Sequence, residues 1–554
     1  MFWVFCFKKN YECYKNMLNN LKSYLENIKI TPISWLVGIS GVIMVRFFLE
    51  SLSNPTSSGF FASDASTLIH YYLFFLAIVV VFMIILQKAV PSWKNIIPQF
   101  VAVSFLMIFI APIIDWIISG GKGLKMVYLF DPPKEMLFSF LSFTNKSLNG
   151  GSTLGLQIEI ALMLLLVGLF VYLVSKNWKR AIISVASLYI IVFIFASLPG
   201  IISLIGQGGQ STQNPLVFLQ NSIGNSATIS NNIHSSLQYS SMTRLLEISF
   251  NFIMGKILFL ILIANASFWF FLNFKEKFKT MFKNSRPERV THYLLMIFLG
   301  LLIAHVAFPT VQFNWNDWLS VIVLCFSFYL SIMFAVCVND IVDEDIDKIS
   351  NSDRPLITNS LSKEDMKQSA FMFLVASLIS GYLAGYTAFF FVLTFTALYY
   401  IYSAPPTRFK LIPFFSSFLI GLCCLTATLA GFFLLSPLKY VSAFPAKFAL
   451  AVVVVFFLGS HIRDLKDMGG DKTAGIKTVP IIFGDKWGPR VVGYFTALAF
   501  LLVPVFSGIY ILFATAIPGA LVSYYFVNRK PYKEKYIFQI YFAFLFVSFL
   551  LLFI

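Results

Sequence analysis

The chain contains about fifteen apolar runs, each long enough at 1.5 Å of helical rise per residue to cross about 30 Å of hydrocarbon, and this limits its fold more than any other feature. Six lie near 32–50, 68–87, 97–119, 154–175, 181–204 and 246–273. Nine more lie near 290–308, 317–338, 367–384, 387–402, 412–435, 443–460, 490–509, 511–528 and 536–554. The predicted fold class is all-α: a polytopic membrane protein of about fifteen transmembrane helices, a nine-helix bundle preceded by about six extra helices. Composition agrees, because 58% of the 554 residues are hydrophobic and only 12% charged, with a mean hydropathy of +0.80. Soluble domains stop enlarging their cores at about 250 to 300 residues and still need charged surface. The 64 Phe residues exclude disorder, and six scattered Cys without metal-ligand spacing exclude a disulfide scaffold.

A net charge of +16 invites a nucleic-acid reading, but the placement of the 41 Lys and Arg residues gives another. With a cytoplasmic N-terminus, most fall in inner loops, including Lys8, Lys9, Lys176, Lys179, Arg180, Lys275, Lys277, Lys279, Arg529 and Lys530. The outer loops hold Lys122, Lys125, Lys134, Lys146, Arg244, Lys439 and Lys447, and Arg46 and Lys256 lie inside spans. This is the positive-inside asymmetry, so the basic balance reports orientation in a lipid bilayer, with the cell membrane as the expected location, and no nucleic-acid partner is expected. The N-terminal stretch does not read as a cleaved signal, since Lys8, Lys9 and Lys15 are followed by polar residues.

Three segments are expected: an N-terminal membrane domain at 1–273, a basic cytoplasmic linker at 274–289 and a second membrane domain at 290–554. Residues 205–245, rich in Ser, Asn, Gln and Gly, read as a solvated outer loop. The first domain assembles no site. Its intramembrane charges, Arg46, Asp115, Glu159 and Lys256, raise an ion path as an alternative, but Arg46 has Glu50 one turn away and both sit near a span end, where they pair or snorkel.

The chemistry sits in the second domain. Asp340, Asp343 and Asp347 stand at offsets of zero, three and seven, which share one helical face, and Asp464, Asp467 and Asp471 repeat those offsets. Four predicted spans intervene, an even number, so both rows emerge on the same, cytoplasmic, side. Six converging carboxylates repel one another unless cations sit between them. Oxygen-only donors select a hard cation, and Mg2+ completes its shell with water and phosphate, so a diphosphate bridged between the rows satisfies charge and geometry together. Arg354, Lys363, Arg408, Lys410, Arg463, Lys466, Lys472 and Lys477 are available for the remaining phosphate oxygens. One acidic run alone reads as a solvated face, and the repeat argues against it. A calcium loop fails because Lys348 stands where Gly is needed and Arg354 where a bidentate Glu belongs. Glu344 and Asp345 lie off the shared face, and His461 reads as ligand, base or, more often, a packing residue.

Asn-Asp-x-x-Asp-x-x-x-Asp at 339–347, with Asp-Arg-Pro-Leu at 353–356, resembles the first signature of the UbiA-type intramembrane prenyltransferase family. Tyr-Ser-Ala-Pro-Pro-Thr-Arg-Phe-Lys at 402–410 is similar to that family's middle loop, and Asp467 and Asp471 with Ala-Gly-Ile-Lys-Thr at 474–478 and Gly484 to its second signature. The resemblance covers about 285–554. It implies Mg2+-assisted loss of diphosphate from an isoprenyl diphosphate and capture of the allylic cation by a membrane-associated acceptor. It further implies Asp343, Asp347, Asp467 and Asp471 as catalytic carboxylates, with Asp340 and Asp464 as secondary metal ligands. Asn339, Arg354, Arg408, Lys410 and Lys472 are implied as substrate contacts. The family's Pro-Ser-Gly after Arg-Pro is here Ile357-Thr358-Asn359, and Asn tolerates the left-handed backbone such a turn requires. The form of the second signature is closer to the branch acting on glycerol-phosphate lipids, chlorophyll or tocopherol precursors than to the 4-hydroxybenzoate branch. The alternatives are a membrane transporter, or a scaffold with an inactive prenyltransferase-like domain.

Overall fold

The computed structural model describes residues 16, 18–52, 65–121, 128–131, 133–142, 152–208, 215–224, 242–311, 313–473 and 475–552. Its regular elements are helices throughout these residues. Fourteen are long and apolar enough to cross a membrane, and a fifteenth span results when Ala446–Gly459 and Ile462–Thr473, bent by 44°, count as one. The protein is an integral, multi-pass membrane protein. Its chain divides into two compact units, the first ending at Asn273 and the second beginning at Phe274.

The first unit contains α1 (Pro32–Leu52), α2 (Ala65–Ala89), α3 (Ile97–Ser104), α4 (Ile110–Ile118), α5 (Leu154–Ser175), α6 (Trp178–Ala196) and α7 (Met242–Asn273). Helix α2 is its centre, packing on α7 and α6 and burying Leu73, Phe74, Leu76, Ala77, Val80 and Met83. Helices α5 and α6 form a hairpin: Lys176 takes the left-handed conformation, and the Asn177 side chain accepts from Arg180 N to cap α6. The run at 97–119 is not one continuous α-helix. A 3-10 turn at Phe105–Phe109 separates α3 from α4, and the polar groups of that break find partners inside the bundle. Arg46 donates to Ile108 O, and Glu159 accepts from Ala111 N at 2.9 Å. Arg46, 1% exposed, also pairs with Glu50 at 2.9 Å and with Glu159 at 3.2 Å. The expected pairing with Glu50 is present, while snorkelling is not, because Glu159 from α5 supplies a second counter-charge at depth.

Two expectations for this region change. The stretch 205–245 is not uniformly loop: Pro215–Gly224 is helical, because Val217, Phe218 and Leu219 form an apolar cluster between Pro and Gly punctuation, with Leu219 buried. Residues 209–214 and 225–241 lie outside the described set. The basic segment 274–289 is not a free connector either. Its α8 (Lys275–Lys283) carries an apolar edge, and Met281 packs in the core of the second unit with Met333, Phe334, Cys337, Leu361 and Met366. Lys277 pairs with Asp365 at 2.8 Å.

The second unit continues with α9 (Pro287–Ala307), α10 (Trp315–Val342), α11 (Glu344–Ser350), α12 (Lys363–Ala384), α13 (Tyr386–Ser403) and α14 (Phe415–Leu435). It ends with α15 (Ala446–Gly459), α16 (Ile462–Thr473), α17 (Val479–Ser507), α18 (Phe513–Asn528) and α19 (Glu534–Leu552). Helix α14 packs on α9, α13 and α15, and α10 packs on α12 and α13. Between membrane helices the hydrophobic effect offers little, so small residues that let backbones approach decide the packing. Gly300 of α9 and Gly431 of α14 do this: a Cβ on Gly300 would overlap Thr428 O, and one on Gly431 would overlap Ile297 O. Gly431→Val is expected to destabilise the second unit by about 1–3 kcal/mol or more. The expected readout is a lower midpoint of thermal unfolding in detergent, with Gly459→Ala, where an added Cβ meets nothing, close to wild type.

Candidate active site

Two short acidic helices build the site, and each exists because a longer apolar helix stops beside it. Helix α10 ends at Asp343, whose φ of −97° and ψ of 13° break the regular run; α11 then starts at Glu344, with acidic residues in its first turn where the helix dipole favours them. Helix α15 ends at Gly459 and the chain turns by 44° into α16. Twelve residues with Arg463, Asp464, Lys466, Asp467, Asp471 and Lys472 are too charged for hydrocarbon, so α16 caps the bundle rather than spanning it.

Helix α11 lies against α16. Their contact runs through Gly470, where a Cβ would press on Ile346 O at 3.1 Å and overlap Ser350 Oγ, and whose N–H donates to Ser350 Oγ at 2.9 Å. This approach brings Asp343 and Asp347 together with Asp464, Asp467 and Asp471 around a cleft of about 960 Å³, part of it open to solvent. The same cleft is lined by Asn339, Asn351, Arg286, Arg289, Arg354, Lys410, Arg463 and Lys466, with Tyr399 and Tyr402 on its apolar side. Asp343 accepts from Arg408 at 2.9 Å and pairs with Lys410. Arg463 lies over the Tyr402 ring at 5.6 Å. Asn339 Oδ1 accepts from Ser403 Oγ at 3.3 Å.

Some expected site residues stand elsewhere. Asp340, 1% exposed, does not line the cleft; it accepts from Asn284 at 2.7 Å and from Arg286 at 2.5 Å. Its oxygens anchor the chain entering α9 and hold Arg286 at the cleft wall. Lys472 is exposed and faces Asp485 at 3.7 Å rather than the cleft. Arg408 reaches the site through Asp343 and is not itself a cleft-lining residue. His461 does not line the cleft; it is fully buried among the rings of Phe414, Phe457 and Phe495, with Ser417 Oγ 3.0 Å and Asp464 Oδ2 3.6 Å from its Nδ1. Asn359 takes φ +55°, the left-handed turn anticipated after Arg354-Pro355-Leu356.

Burial and crowding shape the electrostatics. Desolvation, with Asp467 and Asp464 adding repulsion, pushes the Asp471 carboxyl up to about 7. Desolvation likewise raises Asp347 to about 6, although Arg354 and Asn351 oppose it. Arg286 is lowered to about 10, chiefly by burial, against the pull of Asp340. Asp347 Oδ2 and Asn351 Oδ1 are buried oxygens without hydrogen-bond partners. Among the described residues, no three acidic, Cys or His side chains close on one point as a complete metal cage. The cleft instead offers single carboxylates and a free amide oxygen, an oxygen donor set that fits a hard cation which keeps its water or takes phosphate oxygens.

Sequence reasoning missed Asn351, Arg289 and the Asn284–Arg286 anchor. Asn351 had a readable signal, since it lies one turn beyond Asp347 on the same face. The anchor had none, because it joins residues more than fifty positions apart across the bundle.

The second unit is thus a helical membrane bundle in which two acidic rows and several basic residues meet at one cleft. Residues 293–550 match the model of the UbiA prenyltransferase family. A digeranylgeranylglyceryl phosphate synthase of Thermococcus sibiricus is 28% identical over 188 residues, which are 33% of this chain and 63% of that protein. A chlorophyll synthase of Arabidopsis thaliana is 30% identical over 165 residues, 27% of this chain and 41% of that protein. The chain thus spans less than two thirds of the length of these two relatives. The structure of a UbiA homolog from Archaeoglobus fulgidus bound to GPP and Mg2+ aligns over 49% of this chain and 96% of its own, at 20% identity and a TM-score of 0.38.

Asp340→Ala is expected to cost about 3–5 kcal/mol of stability, because it leaves the buried Arg286 cation uncompensated. Thermal unfolding of the metal-free protein checks this: a large drop for Asp340→Ala, and little change for Lys472→Ala.

Proposed function

We propose that the second unit transfers an isoprenyl group from an isoprenyl diphosphate to a lipophilic acceptor in the membrane, releasing diphosphate, and that it does so with Mg2+. The observation that carries this reading is the meeting of Asp343, Asp347, Asp464, Asp467 and Asp471 with Arg286, Arg289, Arg354, Lys410, Arg463 and Lys466 in one cleft at the end of an apolar bundle. Carboxylates alone repel a diphosphate, and basic residues alone bind one without activating it. Together they fit a cation and the anion it bridges.

In this reading Asn339, Asp343 and Asp347 on one row and Asp467 and Asp471 on the other hold the metal, with Asp464 in support. Bound there, Mg2+ would neutralise the charge that develops on the departing diphosphate. Arg354, Arg463, Lys410 and Lys466 hold phosphate oxygens by charge-assisted hydrogen bonds. Asp343 pairs with Arg408 and Lys410; with Mg2+ and diphosphate bound, the carboxylate would serve the cation and the two basic groups would be free for phosphate oxygens. The isoprenyl chain runs toward Tyr399, Tyr402, Ile332, Ala335 and Val336. This apolar wall excludes water from the allylic cation, and the tyrosine rings stabilise it by cation–π attraction. The relatives named as synthases of a glyceryl phosphate lipid and of chlorophyll support a glycerol-phosphate or chlorin-type acceptor. We place the cleft on the cytoplasmic side on the strength of the Lys and Arg asymmetry.

The test is incubation of purified protein and Mg2+ with labelled isoprenyl diphosphates and a panel of glycerol-phosphate, chlorin and aromatic acceptors, followed by product mass. Asp467→Ala is expected to lower turnover by about a hundredfold or more while the protein stays folded. Wild-type turnover in that variant refutes the two-row site.

The pH dependence of Mg2+ binding gives a second test. Asp347 and Asp471 hold their protons up to about 6 and about 7 in the metal-free protein, and the cation must displace those protons. Affinity is therefore expected to rise with pH through this range and to level off above about 8. Calorimetry at pH 6.5 in buffers of different ionisation enthalpy should record proton release on binding.

A further inference from the structure

Asn351 joins the two acidic rows. It follows α11 on the loop leading to Arg354, and only 5% of it is exposed. Its side-chain nitrogen donates to Asp347 Oδ1 at 2.8 Å and to Asp467 Oδ1 at 3.0 Å. Asp347 belongs to the first row and Asp467 to the second, so one amide bridges residues 120 positions apart. Both partners are carboxylates and accept only, which fixes the orientation of the amide: the NH2 group must face them and the oxygen must face away. That oxygen is buried, lacks a partner and belongs to a cleft-lining residue, as does the free Oδ2 of Asp347 beside it.

A buried amide oxygen without a hydrogen bond has lost its water and gained nothing in return. Beside five carboxylates it is a neutral oxygen, able to approach a hard cation without adding negative charge. We infer that Asn351 couples the two rows: its NH2 group holds Asp347 and Asp467 in register, and its free amide oxygen completes the donor set presented to the cation. The inference rests on the Mg2+–diphosphate reading above and adds to it a residue outside either acidic triplet. Two consequences follow. Holding two carboxylates together without metal lowers the reorganisation needed when the cation arrives. Metal bound at one row is also felt at the other through a single side chain.

The experiment uses the full-length protein in detergent, with inorganic pyrophosphate as the probe and Mg2+ titrated at fixed probe concentration. Wild-type protein is expected to bind pyrophosphate in a Mg2+-dependent way. Asn351→Ala removes both the bridge and the oxygen, and the Mg2+ concentration for half-maximal binding should rise at least tenfold. At saturating Mg2+, pyrophosphate affinity should return to within about threefold of wild type, because the basic contacts remain. Asn351→Asp keeps an oxygen but replaces the two donors by a further negative charge. Its binding should be weaker than that of the Ala variant at low Mg2+ and should recover more fully at high Mg2+. In turnover assays the Mg2+ dependence should shift in both variants with little change in the KM for the isoprenyl diphosphate at saturating metal. Asn351→Ser, which keeps a small polar group, carries the same expectation as Ala should the Ala variant fold poorly, and thermal unfolding of every variant accompanies the titrations. A lowered unfolding midpoint with an unchanged Mg2+ curve would overturn the inference and leave Asn351 a structural bridge. Asp467→Ala separates the two levels: loss of Mg2+-dependent pyrophosphate binding there with an unchanged Asn351→Ala curve overturns the inference alone. Absence of such binding in wild type overturns the diphosphate reading and the inference with it.

Discussion

The second unit is organised around the mutual repulsion of carboxylates held close together at the mouth of an apolar bundle. Asp343, Asp347, Asp464, Asp467 and Asp471 line one cleft, and nothing in the hydrophobic effect would place them there. Three kinds of interaction make the arrangement tolerable. Asp343 is paired with Arg408 and Lys410. Asp347 and Asp467 share the amide of Asn351. Burial and the neighbouring carboxylates push the Asp471 carboxyl up to about 7, which lowers the charge of the cluster near neutrality. The cleft therefore stores unfavourable electrostatics, which the proposed cation would relieve.

The scaffold that sustains this is rigid where the backbone approaches closely. Gly300 and Gly431 lock α9 against α14 within the bundle, and Gly470 locks α11 against α16 above it. The first contact fixes the apolar walls, and the second fixes the separation of the acidic rows. Both depend on the absence of a Cβ, so geometry at the cleft is transmitted through backbone contact rather than through flexible side chains. The Asn284–Arg286–Asp340 anchor adds the chain entering the bundle to the same assembly. A basic residue from outside the acidic motifs thereby becomes part of the cleft wall.

The first unit meets the cost of buried charge differently. Arg46 is shared between Glu50 and Glu159 and also satisfies the backbone of the break between α3 and α4. Asp115 accepts from Gly155 N at 2.8 Å and from Thr153 Oγ1, tying α4 to the start of α5. These charges are used up in holding broken or short helices together, which favours a structural role over an ion path.

The sequence by itself determined the helical, membrane-spanning class and the two acidic rows, because hydrophobic run length and repeated offsets are local properties. It also carried the left-handed turn at Asn359, since that depends on one residue's backbone preference. Only the tertiary structure decided which carboxylates serve the cleft. Asp340 and Asp343 lie one helical turn apart on the same face, yet one meets Arg286 and Asn284 while the other meets Arg408 and Lys410. That outcome depends on which distant segment packs against each face. The same holds for Lys472, which faces Asp485, and for Asn351, whose significance appears only when α11 and α16 are side by side. Helical offsets specify a face, but what lies opposite that face is set by packing across the bundle.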